Sequence, residues 1–396
     1  MRFAVLIPFL CLASSTNAQT PQIFAKTIKQ LRSFAQKDSL RVQSAVNKWW
    51  EERKKLGQVP LTSSDSSIFL YRGTATSVLW AGDFNGWGSK PAPTQGKRIR
   101  NTDIWIAPCT FPSKARLDYK IILNGKDWIL DPVNPNQQYS GVGGGSPNSE
   151  IRMPAWKRSP DQIPGEKTPR GLVSQHTIWS QKLGYEVDYQ VYLPAGHIAV
   201  AALPVLYVFD GNEYNDPRLG NMATSLDNLI ASGSIVPMAI VFIDAREHAN
   251  KSNNRRTTEL SLNEDFLAFV TDELIPAVGD KNAEARGILG TSLGGLSAAF
   301  FALSKPAVFP RVACQSPAYW YKPEIFGYVE KEIRPPLRAY ISAGTFFDGA
   351  PEAKRMVEQL QKHGHSVKFT EVPEGHSWGN WRNLLSELLI ELYGKR

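Results

Sequence analysis

From residue 171 to the C-terminus, short apolar runs alternate with helix-forming stretches, and this alternation restricts the fold more than any other feature of the chain. The runs 204–209 and 238–243 have no polar face. They are too short for core helices and suit strands buried on both sides. Further strands are expected at 187–193, 286–289, 337–342 and 367–371, with helices at 221–232, 263–278 and 352–363. Such alternation predicts an α/β fold of the α/β-hydrolase type, with a mostly parallel doubly wound sheet over 171–396.

The first half has a different texture. Between 60 and 156, β-rich runs at 67–72, 77–81, 104–108, 117–123 and 127–130 are separated by turn clusters. Asn124-Gly125 is a hairpin signal, and Asn85-Gly86 marks another turn. Short strands at this spacing predict a small immunoglobulin-like β-sandwich. Residues 141–149 are glycine-rich and predict a flexible loop, and 157–170, rich in proline and charge, read as a linker. Residues 19–58 predict a helical leader. Its apolar stripe is Ile23, Ile28, Leu31, Phe34, Leu40, Val42, Val46 and Trp49, and Gly57 and Pro60 end it. Ahead of it, Arg2, the apolar run 3–13 and Thr16-Asn17-Ala18 have the form of a signal peptide, 1–18, cleaved before Gln19. The run is too short to span a bilayer. A periplasmic or secreted protein without stable membrane insertion is expected.

The formal net charge is +8, which favours an anionic partner. The basic residues are scattered, with only pairs such as Lys54-Lys55 and Arg255-Arg256, so an acidic small molecule is expected and nucleic acid is not. Removal of residues 1–18 leaves Cys109 and Cys314, which fall in different halves of the chain. A disulfide between them is not expected at this size.

Gly290-Thr291-Ser292-Leu293-Gly294 matches G-x-S-x-G between an expected strand and an expected helix. This is the setting of a nucleophile elbow, a tight turn that lifts the Ser292 hydroxyl above the sheet. The same turn sets the Leu293 N–H at a helix start, where it can donate to an oxyanion. A serine nucleophile needs a base, and His376 follows the last expected strand. The acid belongs between them. Asp348 fits best, Glu352 is the competitor, and a Ser–His dyad is an open alternative. A second oxyanion donor is expected just after the strand 204–209, from the backbone of Gly211 or Asn212. The acyl transfer this set performs requires no metal and no organic cofactor.

With these residues in place, the chain resembles the enterochelin (ferric enterobactin) esterases, within the esterase D superfamily, in an exported form. The likeness is carried by Val78–Trp87 and Asp131-Pro132 in the first half. In the second it is carried by Phe209-Asp210-Gly211, Ile243-Asp244, Arg256 with Glu259-Leu260, Gly290–Leu296, Gln315-Ser316 with Trp320, and Gly375-His376 with Trp381-Arg382. Asp348 lies one residue further from Gly344 than that family's Gly-x-x-Glu spacing. The resemblance implies a small-molecule ester substrate, an anionic catecholate trilactone siderophore, with iron entering only as part of it. It also implies substrate contact by Arg256, against a salt bridge to Glu259 or Asp244, and a pocket wall at Trp320, against core packing. A carbohydrate esterase, feruloyl or acetyl, with a glycan-docking sandwich is the alternative. A non-catalytic binder is a third reading.

Overall fold

The alternating residues of the first half close two small antiparallel sheets in the computed structural model of the protein, which describes residues 19–36, 39–89, 91–141, 147–331 and 335–395. One sheet runs β1 (Leu61–Ser63), β2 (Ser66–Arg72), β6 (Ile104–Thr110), β5 (Lys97–Arg98). The other runs β4 (Thr94–Gln95), β3 (Val78–Gly82), β7 (Arg116–Leu123), β10 (Asn148–Arg152), β9 (Gln137–Gln138), with β8 (Asp127–Ile129) paired to β7. Successive side chains of β2 serve two cores, as strand geometry requires. Phe69 is buried with Trp80, Trp105 and Tyr119, while Ile68 and Leu70 are buried under the leader with Leu31, Val46 and Trp49. The β7–β8 hairpin turns on Asn124 and Gly125, both at positive φ, as the Asn-Gly pair predicted.

Three expectations are corrected here. The leader forms two helices, Pro21–Phe34 and Ser39–Lys55, rather than one. The N–H groups of Ala35 and Gln36 bond three residues back, which tightens and ends the first helix. Ile23 is also off the stripe, half exposed, and Phe24 takes the buried position beside Leu31. Segment 157–170 is irregular but held down. Asn228 on helix Met222–Ala231 donates to the carbonyls of Asp161 and Ile163 at 2.8 and 2.9 Å, and Gln162 donates to Ser225. Proline and charge composition reports the lack of repeating structure, not the lack of contacts. The signal-peptide expectation lies outside the described residues, and so does most of the glycine-rich loop (142–146).

The second half forms one eight-stranded sheet in the order β11 (Leu172–Ser180), β12 (Tyr185–Leu193), β14 (Ala239–Ile243), β13 (Val205–Val208), β15 (Gly287–Thr291), β16 (Arg311–Gln315), β17 (Arg338–Gly344), β18 (Ser366–Val372). β12 runs antiparallel to both its neighbours, β11 and β14, and the strands from β14 to β18 run parallel. Both faces are covered, which explains the unbroken apolar runs. In β13, Val205 and Tyr207 enter the core under helix Leu293–Ser304, while Leu206 and Val208 enter the core under helix Leu385–Tyr393. Two strands had no clear signal in the sequence. β11 is a largely exposed edge strand, and β16 offers only Val312, Ala313 and Cys314 between polar ends. Cys109 and Cys314 are not joined.

β13 is flanked by β14 on one side and β15 on the other, so the chain's winding reverses between β13 and β15. In open α/β sheets the carboxyl ends at such a reversal are where ligands sit. Ser292 and Asp210 lie there, just beyond Thr291 of β15 and Phe209 after β13.

Candidate active site

Ser292 follows β15 with φ 58° and ψ −119°, a strained conformation for a residue with a side chain. Its backbone is held on both sides. The Ser292 N–H donates to Gln315 O at 3.0 Å, and the Ala318 N–H donates to Ser292 O at 2.9 Å. Gly290 is sterically required, because a Cβ there would collide with the Gly294 backbone. Gly295 packs on Pro317, 3.1 Å from where its Cβ would stand. The helix beginning at Leu293 is twelve residues long, and its first N–H groups have no carbonyl within the helix.

Register brings the other groups alongside. Thr291 pairs with Gln315, Gln315 with Ser342, and Gly344 with Val372, so the loops after β15, β16, β17 and β18 rise side by side. They carry Ser292, Ser316, Asp348 and His376. Asp348 Oδ1 lies 2.5 Å from His376 Nδ1. Its Oδ2 accepts the Ser316 hydroxyl at 2.6 Å, the Gly344 N–H at 2.5 Å and the Asn380 amide at 3.4 Å. Ser316 accepts the Trp381 indole N–H at 2.8 Å, and the Trp381 ring meets the imidazole edge-on at 4.9 Å. The carboxylate is therefore fully buried and saturated with donors, while the imidazole is 41% exposed. Asp348, not Glu352, meets the histidine. Glu352 sits in the first turn of helix Ala350–Lys362. Ser316, Asn380 and Trp381 complete the support; Ser316 and Trp381 stood among the residues that carry the family resemblance, without a role, and nothing in the sequence pointed to Asn380.

Gly211 and Asn212 open the short helix Gly211–Asn215, introduced by Asp210 at φ 52°. A Cβ on Gly211 would collide with the backbone of Phe242 and Ile243, so glycine alone lets this turn close against β14. Arg256 grips Asp210 through two contacts, Nε to Oδ1 at 2.8 Å and Nη2 to Oδ2 at 2.9 Å, and reaches Thr291 O at 3.2 Å. It thus ties the Gly211 turn to the serine elbow. The alternative salt bridge, to Glu259 or Asp244, does not form. Glu259 is held by Tyr185 and Arg255, and Asp244 by Arg246 and Lys251.

A cleft of about 710 Å³ opens beside this turn. Arg218, Arg246, Lys251 and Arg256 line it with Asp210, Glu213 and Asp216, and Arg218 pairs with Asp216 as Arg256 does with Asp210. Glu213 accepts the Trp378 indole N–H at 2.8 Å. Burial, and then the charge of Asp210, pushes its carboxyl up to about 7. Trp320 is neither in the core nor part of this lining. It is 62% exposed and stands beside Gly349, next to the Asp348 loop. Among the described residues, no group of three His, Cys, Asp or Glu side chains could hold a metal ion, and no helix is long and apolar enough to cross a membrane.

A family model described as putative esterase matches residues 180–340. The chain is 30% identical over 243 residues to an endo-1,4-beta-xylanase/feruloyl esterase of Xylanibacter ruminicola, covering 56% of this chain and 31% of that protein, so it spans about a third of that relative. It is 26% identical over 343 residues to an iron(III) enterobactin esterase of Escherichia coli, covering 76% of this chain and 82% of that one. A solved ferric enterobactin esterase from Salmonella typhimurium shares the fold, with a TM-score of 0.72 at 22% identity, covering 87% of this chain and 98% of that chain. Residues 180–340 therefore match the esterase family, and the chain resembles the iron(III) enterobactin esterases in sequence and in fold.

Proposed function

We propose that the protein is an exported serine esterase that hydrolyses the ester bonds of an anionic catecholate trilactone siderophore, taken as its ferric complex. The observations that support the reading are the Asp348–His376 pair and the strained Ser292 turn, carried on neighbouring loops at the switch point of the sheet. In the adjacent cleft four basic side chains face three acidic ones, and this modest positive excess suits an anionic substrate. The small sheets are read as an immunoglobulin-like sandwich, and the basic net charge suits a ligand of opposite sign.

His376 Nε2 takes the Ser292 proton as Oγ bonds to the ester carbonyl carbon. Asp348 holds Nδ1–H, fixing the tautomer and stabilising the imidazolium. The oxyanion is received by the N–H of Leu293 and that of Gly211 or Asn212. Collapse breaks the ester C–O bond, and the proton on Nε2 passes to the leaving alkoxide. Water then repeats the sequence on the acyl-enzyme, releasing the acid and restoring Ser292. Arg256 acts here mainly by holding Asp210, with its guanidinium edge at the cleft wall.

The test is hydrolysis of ferric and iron-free enterobactin by the purified protein, read by mass spectrometry, with Ser292→Ala as control. Linear dihydroxybenzoyl-serine products from the wild type alone support the reading. Cleavage of a generic aryl ester without siderophore turnover keeps the serine chemistry and moves the substrate to feruloylated or acetylated glycans. Undiminished activity in Ser292→Ala rejects the mechanism.

A further inference from the structure

The loop that carries His376 rests on the small sheets. Gly375 lies directly over the carboxyl of Asp83, where a Cβ would collide with Asp83 Cγ. Gly379 lies against Arg116 in the same way, with no room for a Cβ beside the guanidinium. Arg116 is the first residue of β7, and its side chain is fully buried. Its Nη1 donates to the Ser377 hydroxyl at 2.9 Å, the residue after the histidine. Its Nε and Nη2 donate to Glu150 at 2.9 and 2.7 Å, and Nη2 also pairs with Asp118. The carboxylate of Glu374, two residues before the histidine, lies 3.6 Å from Nη1, and the backbones of Arg116 and Glu374 form a bridge.

The same contacts reach the acid. Glu374 O accepts the Phe346 N–H at 3.2 Å, two residues before Asp348. Phe346 packs edge-on against Phe111 of the small-sheet core at 6.3 Å. Asp83, in the Gly-Asp-Phe-Asn-Gly-Trp turn, is itself fixed by the Asp118 N–H at 2.8 Å and the Trp87 indole at 3.2 Å. The imidazole is 41% exposed and meets Asp348 and the Trp381 ring.

We propose that Arg116, seated with Asp83 under the Gly375–Gly379 loop, is a positioning residue for His376, so that the small sheets complete the catalytic geometry. This rests on the serine-esterase reading of the site. The guanidinium fork fixes the loop from one side through Ser377, while Asp348 fixes the ring from the other. A displacement of about 1 Å in a reacting group can cost 10²-fold in rate, so the loop floor matters although it touches no substrate.

The test compares kcat and KM on an aryl ester for the whole chain carrying Ser377→Ala or Arg116→Lys. Arg72→Met is the control. It removes the Arg72–Asp103 ion pair of the same sheets, away from the loop. Ser377→Ala and Arg116→Lys are expected to lower kcat about 10- to 100-fold with KM within about two-fold of wild type. Arg72→Met is expected to lower the melting temperature and leave kcat unchanged. Wild-type kcat in a folded Ser377→Ala protein overturns the positioning role even if Arg116→Lys fails to fold, and so does a rise in KM alone. Activity retained by Ser292→Ala overturns the esterase reading and this proposal together. Wild-type kcat in Ser377→Ala beside an inactive Ser292→Ala overturns the positioning role alone.

Discussion

At the carboxyl end of the large sheet one buried carboxylate faces one half-exposed base. At the junction of the small sheets with the His376 loop, four buried carboxyls gather around one buried guanidinium. Asp348 is satisfied by the imidazole and by neutral donors from Ser316, Gly344 and Asn380. In the junction, Asp83, Asp118, Glu150 and Glu374 compete for Arg116, with Arg152 helping at the margin. One cation cannot support four ionised neighbours away from water. Burial therefore pushes Asp83 and Asp118 upward, and Glu374 up to about 7. Glu150 is also buried, but Arg116 and then Arg152 pull it down to about 2. The first arrangement leaves a proton acceptor open to substrate. The second spends its charge on holding a loop still.

Substitutions can separate the two regions. Ser292→Ala is expected to have the largest effect, lowering kcat on the order of 10⁶-fold with the melting temperature unchanged, measured on an aryl ester. Asp348→Asn follows, with a loss of about 10⁴-fold, because an amide in place of the carboxylate no longer fixes the Nδ1–H tautomer. Arg116→Met strikes the other region. Removing the cation leaves the buried acids uncompensated, and roughly 3–5 kcal/mol of stability is expected to be lost in urea unfolding.

The smallest effect is on pH. In the folded protein Glu374 titrates near 7 against an ordinary 4.5, so between these values the native state holds more protons than the unfolded one. Stability contributed by Glu374 therefore falls as pH rises through that window. Glu150 acts in the opposite sense, and its contribution is lost as pH falls from about 4.5 towards 2. Glu374→Gln is expected to reduce the drop in urea midpoint between about pH 5 and about pH 8. An unchanged drop would mean that Glu374 does not titrate in this window, leaving the pH dependence to the other carboxyls that burial raises, among them Glu213 and Glu259 at about 7 and Asp131 at about 6.

Legibility in the sequence followed the range of the interactions. The Asn124-Gly125 hairpin and the strand–turn–helix around Ser292 depend on contacts a few residues apart, and both stand where the sequence placed them. The acid could not be chosen from spacing alone. Asp348 and Glu352 are one helical turn apart, and only the fold of 344–348 brings Asp348 to His376. Arg256 took a partner 46 residues away that the sequence had not indicated. β16 was missed because its burial comes from neighbours on both sides rather than from its own pattern.

By itself the sequence determined the doubly wound sheet and the serine elbow, since alternating apolar runs must be buried and Gly290 alone fits beneath the helix start. The tertiary structure decided which carboxylate faces His376, which acid receives Arg256, and that Arg116 lies under a loop 261 residues further on. Those choices are made by strand register and close packing between distant segments, and no local preference of the chain encodes them.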